Sequence, residues 1–274
     1  MSEFRGYDPS IEDRGYLRSL FNESRVLAMR GTYNEVRLDP RIVIQVENQS
    51  SQGACAGHSL SSITEWIYRI ITGELKTELS RAMAYYETQR IDRINGDSGS
   101  TIAGGVKLAI SVGLCREELW KYPSRYDNRR PSNYDDILKD ASNYKIGTST
   151  RITSYEGYRT FLGAGLGGIH QGINWNSSME LKVVEQFRPT SRDGGHSIAG
   201  LCLSERVDSQ GLPYVWILNS WSKSFGQNGW QEWSPTAIQQ MLSHQNTAMV
   251  GLSDMPNMVP REYTLDDLKK DLRI

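Results

Sequence analysis

The sequence predicts an α+β fold with a helical first half and a β-rich second half. After Cys55, apolar residues recur every three or four positions, which is the spacing of an amphipathic helix. The stripe consists of Ala56, Leu60, Ile63, Ile67 and Ile70. After Tyr144 the pattern changes to short apolar runs separated by glycine, which is typical of strands. We therefore expect a mainly helical half followed by a β-rich half; a chain of 274 residues can form one substantial core or two lobes that share a groove.

Three helices are predicted in the first half. The first begins at Cys55, is supported by an i,i+4 pair of Glu65 and Arg69, and ends at Gly73. The second and third span residues 79–93 and 101–112. The polar segment 123–143 is predicted to be a long connection between the lobes, because it holds Pro123, Asn128, Pro131 and Asn133.

Four strands are predicted in the second half, over 167–169, 182–184, 197–201 and 214–218. The simplest hairpin pairs residue 203 with 214 across a turn-rich loop. Extending that register places His196 opposite about Trp221, within a residue or two of Asn219. The dipeptide Ser234-Pro235 predicts an N-cap followed by proline at the first helical position.

The chain is predicted to consist of an N-terminal extension (1–45), a main domain (46–255, divided into 46–145 and 146–255) and a tail helix (256–274). The extension carries Leu17, Leu20, Phe21 and Leu27 at helical spacing. It either packs on the body or covers the groove as a short inhibitory segment. The tail helix is predicted from a capping box that opens at Thr264.

Composition excludes several classes of function. The 31 basic and 32 acidic residues give a net charge of -1, so no global field attracts nucleic acid or an anionic membrane. The N-terminus lacks an apolar signal segment, and no run reaches the roughly 20 apolar residues of a membrane span. With only three cysteines, these features predict a cytoplasmic protein without a disulfide framework; association with a virion is an alternative.

Three distant places in the chain hold the parts of a thiol acyl-transfer site. Cys55 opens a helix, and a helix N-terminus favours the thiolate because of its outward N–H groups and the positive end of its macrodipole. His196 and Asn219 follow far downstream and supply a base and a residue to orient it. The predicted strand register brings these two residues together.

The order Cys55, His196, Asn219, with Gln49 six residues before the cysteine and Asn219 in an Asn-Ser-Trp turn, resembles the papain-like cysteine peptidases (C1 family). The similarity covers residues from about 40 to 235 and includes a glycine-rich turn at 226–230. It is closest to a divergent, disulfide-poor bacterial or phage-type member. The resemblance implies a two-lobed papain-like fold, with a helical left lobe, a β-barrel-like right lobe and the active-site groove between them.

The resemblance also implies roles for individual residues. Cys55 would form a thioester acyl-enzyme, His196 would act as acid and base, and Asn219 would orient His196. The Gln49 amide and the Cys55 backbone N–H would form the oxyanion hole. The substrate would be a protein or peptide, and no cofactor is implied.

Three further residues are assigned to substrate binding by the resemblance. Gly99 and Ser100 match the backbone ledge that pairs with an extended substrate, and Trp221 matches an aromatic cover over the His–Asn hydrogen bond. The chain departs from the family pattern at two positions: Gln52 replaces a cysteine and Ala56 replaces a tryptophan. The first removes half of a disulfide, and the second removes an aromatic wall beside the nucleophile.

Alternatives to a peptidase remain at this stage. The chain could be an inactive papain-like module in a larger assembly, such as a phage complex, with the extension or tail docking a partner. A thiol transferase would use the same residues. Cys55 and His58 read as half of a zinc site, but no second pair has ligand spacing, so no metal is expected. His58 is expected to be a packed polar side chain, and the remaining cysteines and histidines have structural interpretations: Cys115, His170, Cys202 and His244.

Overall fold

A computed structural model describes residues 6–36, 39–190 and 193–257. The predicted tail helix at Thr264 lies outside the described residues. The α-helices of the described part are α1 (Arg14–Ser19), α2 (Ser24–Leu27), α3 (Cys55–Thr72), α4 (Arg81–Asp92), α5 (Ile102–Ser111), α6 (Tyr134–Ala141), α7 (Tyr155–Gly163) and α8 (Pro235–Leu242). None of these helices is long and apolar enough to cross a membrane.

The described strands form one mixed sheet. They are β1 (Phe21–Asn22), β2 (Thr148–Arg151), β3 (Gly167–Trp175), β4 (Val183–Val184), β5 (Gly194–Val207), β6 (Pro213–Leu218), β7 (Trp230–Trp233) and β8 (Ala248–Ser253). Their order is β1-β2-β8-β3-β5-β6-β7-β4. The α+β class is confirmed. The sheet is open, however, with β1 and β4 at its edges, rather than closed into the barrel-like lobe that the family resemblance implied.

The sheet separates two hydrophobic cores. Successive residues of a strand point to opposite faces, and on β5 Ile198 packs into one core while Ala199 packs into the other. The core that contains Ala199 also receives the apolar stripe of α3 and residues of α5. The second core is covered by α7 and α8. The sheet therefore packs against α3 on one face and against α7 and α8 on the other.

Helix α3 confirms the first predicted helix. Its stripe residues Leu60 and Ile63 are fully buried, and it ends at Gly73 in the left-handed conformation with φ of 70°. Such a C-terminal residue accommodates the last turn without the penalty that a Cβ atom would impose. The predicted helices over 79–93 and 101–112 correspond to α4 and α5, each shorter by a residue or two at its ends.

A buried ion network joins α3 to α4. Glu65 lies between Arg69, with 3.6 Å between Oε2 and Nη2, and Arg81, with 2.9 Å between Oε1 and Nη1. The Leu79 N–H also donates to Glu65 Oε1 at 2.8 Å. Burial raises the pKa of Glu65, and the two guanidinium groups oppose that shift. The predicted pair of Glu65 and Arg69 is therefore part of a larger network that holds α3 in place.

The β5–β6 hairpin has the predicted register near its open end. Ala199 pairs with Leu218, as the prediction requires, whereas Leu203 pairs with Val215 instead of with residue 214. A bulge between Gly200 and Cys202 absorbs this one-residue shift. Bulges insert one extra residue into a strand, and sequence alone gives little indication of them.

Two predictions about the periphery are wrong. The extension is not one helix: α1 ends before Leu20, and Phe21 is 60% exposed on β1, which pairs with β2. The segment 123–143 is not a continuous loop, since it contains α6. This helix places Asp135 and Asp136 in its first turn, where carboxylates stabilise the helix dipole. In the extension, the pairing of β1 with β2 determines the conformation. In segment 123–143, the local signals of a short helix were not recognised in the sequence.

The N-cap of α8 gives a prediction about stability. The Ser234 hydroxyl accepts from the Ala237 N–H at 3.0 Å and donates to the Glu185 carbonyl at 2.7 Å, which confirms the predicted cap. Ser234→Ala should lower the free energy of unfolding by about 1 kcal/mol or more. Urea denaturation would measure this. The exposed Ser243→Ala at the other end of α8 is the control and should change stability by less than about 0.5 kcal/mol; equal effects would contradict the cap assignment.

Candidate active site

The structure brings the three predicted site residues together through three separate elements. Cys55 is the first residue of α3 and is fully buried. The Ser197 N–H donates to Cys55 Sγ at 3.2 Å. Since Ser197 follows His196 on β5, the sulfur lies beside the strand segment that carries the imidazole. The helix end and this N–H both favour the thiolate over the thiol.

The imidazole is oriented by the turn after β6. His196 Nε2 lies 3.0 Å from Asn219 Oδ1. The same Oδ1 accepts from the Ser220 N–H at 2.7 Å, so it is an acceptor and Nε2 must donate to it. In the neutral ring, Nδ1 is then the basic nitrogen. That tautomer can receive a proton from a thiol.

Two tryptophans enclose the His196 ring. Trp221 stacks on it with centroids 4.5 Å apart and an angle of 28° between the planes. Trp175, at the end of β3, meets it edge-on at 5.0 Å. A hydrogen bond in such an apolar surrounding is stronger than one exposed to water. Trp221 therefore occupies the place predicted for an aromatic cover, and Trp175 adds a second wall.

Gln49 is fixed next to the same turn. Its Oε1 accepts from the Ser220 hydroxyl at 2.6 Å, and its Nε2 donates to the Gln52 carbonyl at 2.8 Å. Its backbone N–H donates to the Ser220 carbonyl at 2.8 Å. The carboxamide is thus oriented with oxygen and nitrogen assigned. Ser220 links Gln49 to the residue that orients the imidazole.

Hydrogen bonds hold the loop around Gln52, where the family pattern has a disulfide. The Gln52 Nε2 donates to the Pro123 carbonyl at 2.7 Å, and the Tyr86 hydroxyl donates to Gln52 Oε1 at 2.8 Å. The loop before Cys55 is also held by Asp97, which accepts from the Gly53 N–H at 2.7 Å. Hydrogen bonds therefore fix this loop where a disulfide would do so in the family pattern.

The predicted ledge is held in position by α4. Gly99 has φ of 85°, a conformation that favours glycine. Its carbonyl accepts from Gln89 Nε2 at 3.0 Å, and its N–H donates to the Tyr85 hydroxyl at 3.2 Å. Ser100 follows it and is fully buried. The ledge is a rigid backbone edge on one side of the groove.

Residues 6–9, which we call the groove segment, bridge this ledge to β5. The Ser100 N–H donates to the Gly6 carbonyl at 2.9 Å, and the Tyr7 N–H donates to the Gly195 carbonyl at 3.4 Å. Gly195 immediately precedes the imidazole residue, and a Cβ atom added there would lie 1.8 Å from the Tyr7 oxygen. The extension is therefore bonded through its backbone both to the predicted ledge and to the residue before His196.

The Tyr7 side chain is buried between β3 and α5. It is 1% exposed, and its hydroxyl donates to the Asn246 carbonyl at 3.4 Å. At Gly172 an added Cβ would lie 2.4 Å from the Tyr7 ring and 2.8 Å from Ile102. The absence of a side chain at Gly172 makes room for an aromatic ring.

Glu12 anchors the extension to the body. Its carboxylate accepts from the Ile102 and Ala103 N–H groups at 3.0 and 2.8 Å, at the start of α5. Burial raises its pKa to about 7 from an ordinary value of 4.5. A group whose pKa is raised in the anchored state favours that state most below pH 4.5 and loses this contribution as the pH rises through about 7.

The other candidate side chains lie in structural positions. His58 is buried, its Nδ1 is 3.1 Å from the Ala54 carbonyl, and burial lowers its pKa to about 3. His170 contacts the Ser59 hydroxyl and has its pKa lowered to about 3 for the same reason. Burial raises the pKa of the Cys115 thiol to about 12. Among the residues that the structure describes, no group of three or more acidic, cysteine or histidine side chains could hold a metal ion.

Sequence reasoning missed three residues of the site. Trp175 and Ser197 enter through the pairing of β3 with β5, in which Ile173 lies opposite His196. No local signal marks them, although a strand adjacent to the histidine is the place to look. Tyr7 lies outside the predicted amphipathic stretch of the extension, and only its tertiary contacts place it in the groove.

Comparisons with known proteins support the same fold. No protein-family model matches the sequence, and no curated protein matches it significantly. Among solved structures, xylellain, a cysteine protease from Xylella fastidiosa, is similar with a TM-score of 0.69 and 24% identity, over 92% of this chain and 96% of that one.

Two eukaryotic proteins are similar at lower identity. Digestive procathepsin L2 from Tenebrio molitor larval midgut has a TM-score of 0.69 at 13% identity, over 92% of this chain and 79% of that one. The bromelain protease from Ananas comosus in complex with the E64 inhibitor has a TM-score of 0.59 at 18% identity, over 77% of this chain and 94% of that one. The chain therefore has the papain-like fold of these cysteine proteases.

Proposed function

We propose that this protein is a cysteine peptidase that hydrolyses peptide bonds through a thioester on Cys55. The observation that carries the proposal is the joint geometry of the site. The sulfur lies at a helix N-terminus beside β5, and the imidazole of His196 on that strand is fixed by the carboxamide of Asn219. Nucleophile, base and orienter are the parts that a thiol acyl transfer requires.

Acylation begins with a thiolate–imidazolium pair. The Cys55 sulfur attacks the carbonyl carbon of the scissile peptide bond, and its electron pair forms the C–S bond while the carbonyl π electrons move to oxygen. When the tetrahedral intermediate collapses, the C–N bond breaks. His196 donates its Nδ1 proton to the departing amine, so the amine leaves neutral and the ring becomes neutral.

The negative oxygen of the intermediate needs preorganised donors. The Cys55 backbone N–H at the start of α3 and the Gln49 Nε2 are the proposed pair. Ser220 holds the Gln49 carboxamide by its oxygen, so the nitrogen is the end that can donate. Fixed donors of this kind stabilise the transition state because they require no reorientation during the reaction.

Deacylation reverses the roles. Neutral His196 removes a proton from a water molecule, the hydroxide attacks the thioester carbonyl, and the C–S bond breaks to release the acid and the thiolate. The proton on His196 restores the ion pair. Asn219 keeps the ring in the same orientation in both half-reactions, and the two tryptophans exclude solvent from the bond that fixes it.

We further propose that the groove segment blocks the enzyme's own substrate site. Tyr7 and Gly6 use the backbone groups of Gly195 and Ser100 that an extended substrate would use. Because the Tyr7 ring is buried beside Gly172, the same pocket suits a large apolar or aromatic side chain of a substrate. Substrate and groove segment would therefore compete.

Selective alkylation tests whether Cys55 is activated. Iodoacetamide near pH 6 should label Cys55 faster than Cys115 and Cys202, because the N-terminus of α3 and the Ser197 N–H favour the Cys55 thiolate. Mass spectrometry of tryptic peptides would measure the three sites separately. His196→Ala should abolish the preference, and His244→Ala should preserve it. Slow, uniform labelling would favour the inactive module.

Cleavage of a peptide library tests the activity and the oxyanion hole. The wild-type protein should cleave, and Cys55→Ala should not. Gln49→Ala should reduce kcat by about 10²–10³ and leave the fold intact, since it removes one transition-state donor. Circular dichroism and urea unfolding would confirm the fold. Cleavage that persists in Cys55→Ala would refute the mechanism, and Gln49→Ala with wild-type kcat would refute the assigned donor.

Substitution of Tyr7 tests self-inhibition. Burial of an aromatic side chain is worth roughly 1.5–3 kcal/mol, so Tyr7→Ala should raise the cleavage rate of a short peptide by about tenfold to a hundredfold. The labelling rate of Cys55 should rise with it. Ile11→Ala is the control, since Ile11 is 47% exposed and should leave both rates unchanged. Unchanged rates in Tyr7→Ala would show that the groove segment does not limit access.

A further inference from the structure

A cavity of about 330 Å³ lies away from the candidate active site, between α1 and the neighbouring strands β2 and β8. Three arginines line it: Arg14 and Arg18 from α1, and Arg151 from β2. Its remaining walls are mostly apolar and include Leu17, Ile152 and Met249. No aspartate or glutamate is among the described residues that line the cavity.

The three arginines form an unbalanced cluster of charge. Arg14 and Arg18 are one helical turn apart, and like charges at this spacing destabilise a helix. Within the described ranges, none of the three forms an ion pair with a carboxylate. Glu12 attracts Arg14, but its carboxylate is bonded to the start of α5. The cluster therefore favours an added anion.

Two buried polar atoms that belong to residues lining the cavity reinforce this conclusion. The Nε of Arg151 and the hydroxyl oxygen of Thr247 are both buried, and neither has a hydrogen-bond partner among the residues described. A buried charged donor without an acceptor is costly. Arg14 is held in place because its Nη1 donates to the Thr247 carbonyl at 2.7 Å. The Arg14 guanidinium is thus fixed next to Thr247, whose hydroxyl has no hydrogen-bond partner among the residues described.

We propose that this cavity binds a small organic oxyanion, with a phosphate or carboxylate group against the arginines and an apolar body against Leu17, Ile152 and Met249. Guanidinium groups bind both kinds of oxyanion through paired N–H donors. The cavity volume is within the range of small-molecule sites, which combine apolar walls with a few polar anchors. A bound anion would link the extension, through α1, to strands β2 and β8. Binding does not depend on the peptidase activity proposed above.

Calorimetric titration of the full chain tests the site. The probes are phenyl phosphate, inorganic phosphate, benzoate and, as the neutral analogue, benzyl alcohol, all at one ionic strength. We expect saturable binding of phenyl phosphate or benzoate at one site per chain, and binding at least tenfold weaker for benzyl alcohol. The stronger of the two anions identifies the anionic group as phosphate or carboxylate. Inorganic phosphate should bind more weakly than phenyl phosphate, since it lacks the apolar body.

Arginine variants locate the site. Arg151→Gln and Arg18→Gln should each weaken binding of the preferred anion by about tenfold or more, because each removes charge-assisted hydrogen bonds to the anion. Arg129→Gln removes the same charge at a position that is 86% exposed and paired with Asp127, and should bind as the wild type does. Arg18 is exposed, so its variant keeps the test valid if Arg151→Gln fails to fold.

Three results would overturn the proposal. The first is binding of the anions that is no stronger than that of benzyl alcohol, which would indicate an apolar cavity only. The second is equal weakening in Arg18→Gln and Arg129→Gln, which would indicate a general effect of net charge. The third is the absence of saturable binding by any probe.

Discussion

The hydrogen bond from the Ser197 N–H to the sulfur of Cys55 marks the contact on which the candidate site depends, the contact between the tip of α3 and β5. Everything catalytic in the proposal is positioned relative to it. The ion network of Glu65, Arg69 and Arg81 fixes α3 to α4, and the apolar stripe of α3 fixes it to the sheet. A helix N-terminus held from two sides keeps the sulfur beside the strand that carries His196.

The turn after β6 couples the remaining parts. Asn219 orients His196 through its side-chain oxygen, and the next residue, Ser220, holds Gln49 through both its backbone and its hydroxyl. The proposed base and oxyanion donor are therefore set by two consecutive residues. A shift of this turn would disturb the proposed proton transfer and oxyanion stabilisation together. The side chains of Asn219 and Ser220 are buried and hydrogen-bonded, which opposes such a shift.

The extension contacts three separate parts of the molecule. Glu12 binds the start of α5, Tyr7 fills the pocket beside Gly172, and α1 contributes two arginines to a separate cavity. One short segment thus touches the helical half, the groove and the edge of the sheet. Its attachment combines apolar burial, which does not depend on pH, with a carboxyl group whose pKa is about 7.

The sequence by itself determined the elements that carry local signals: the helix from Cys55 to its glycine C-cap, the Ser234 cap, the order of Cys55, His196 and Asn219, and the register near Ala199. These follow from periodicity, capping and strand pairing, which act over a few residues. Only the tertiary structure decided the bulge in β5, the open sheet, the division of the extension into short elements, and the placement of Tyr7, Trp175 and Ser197. Those features depend on contacts between residues far apart in the chain, where the free energy of packing outweighs local preference.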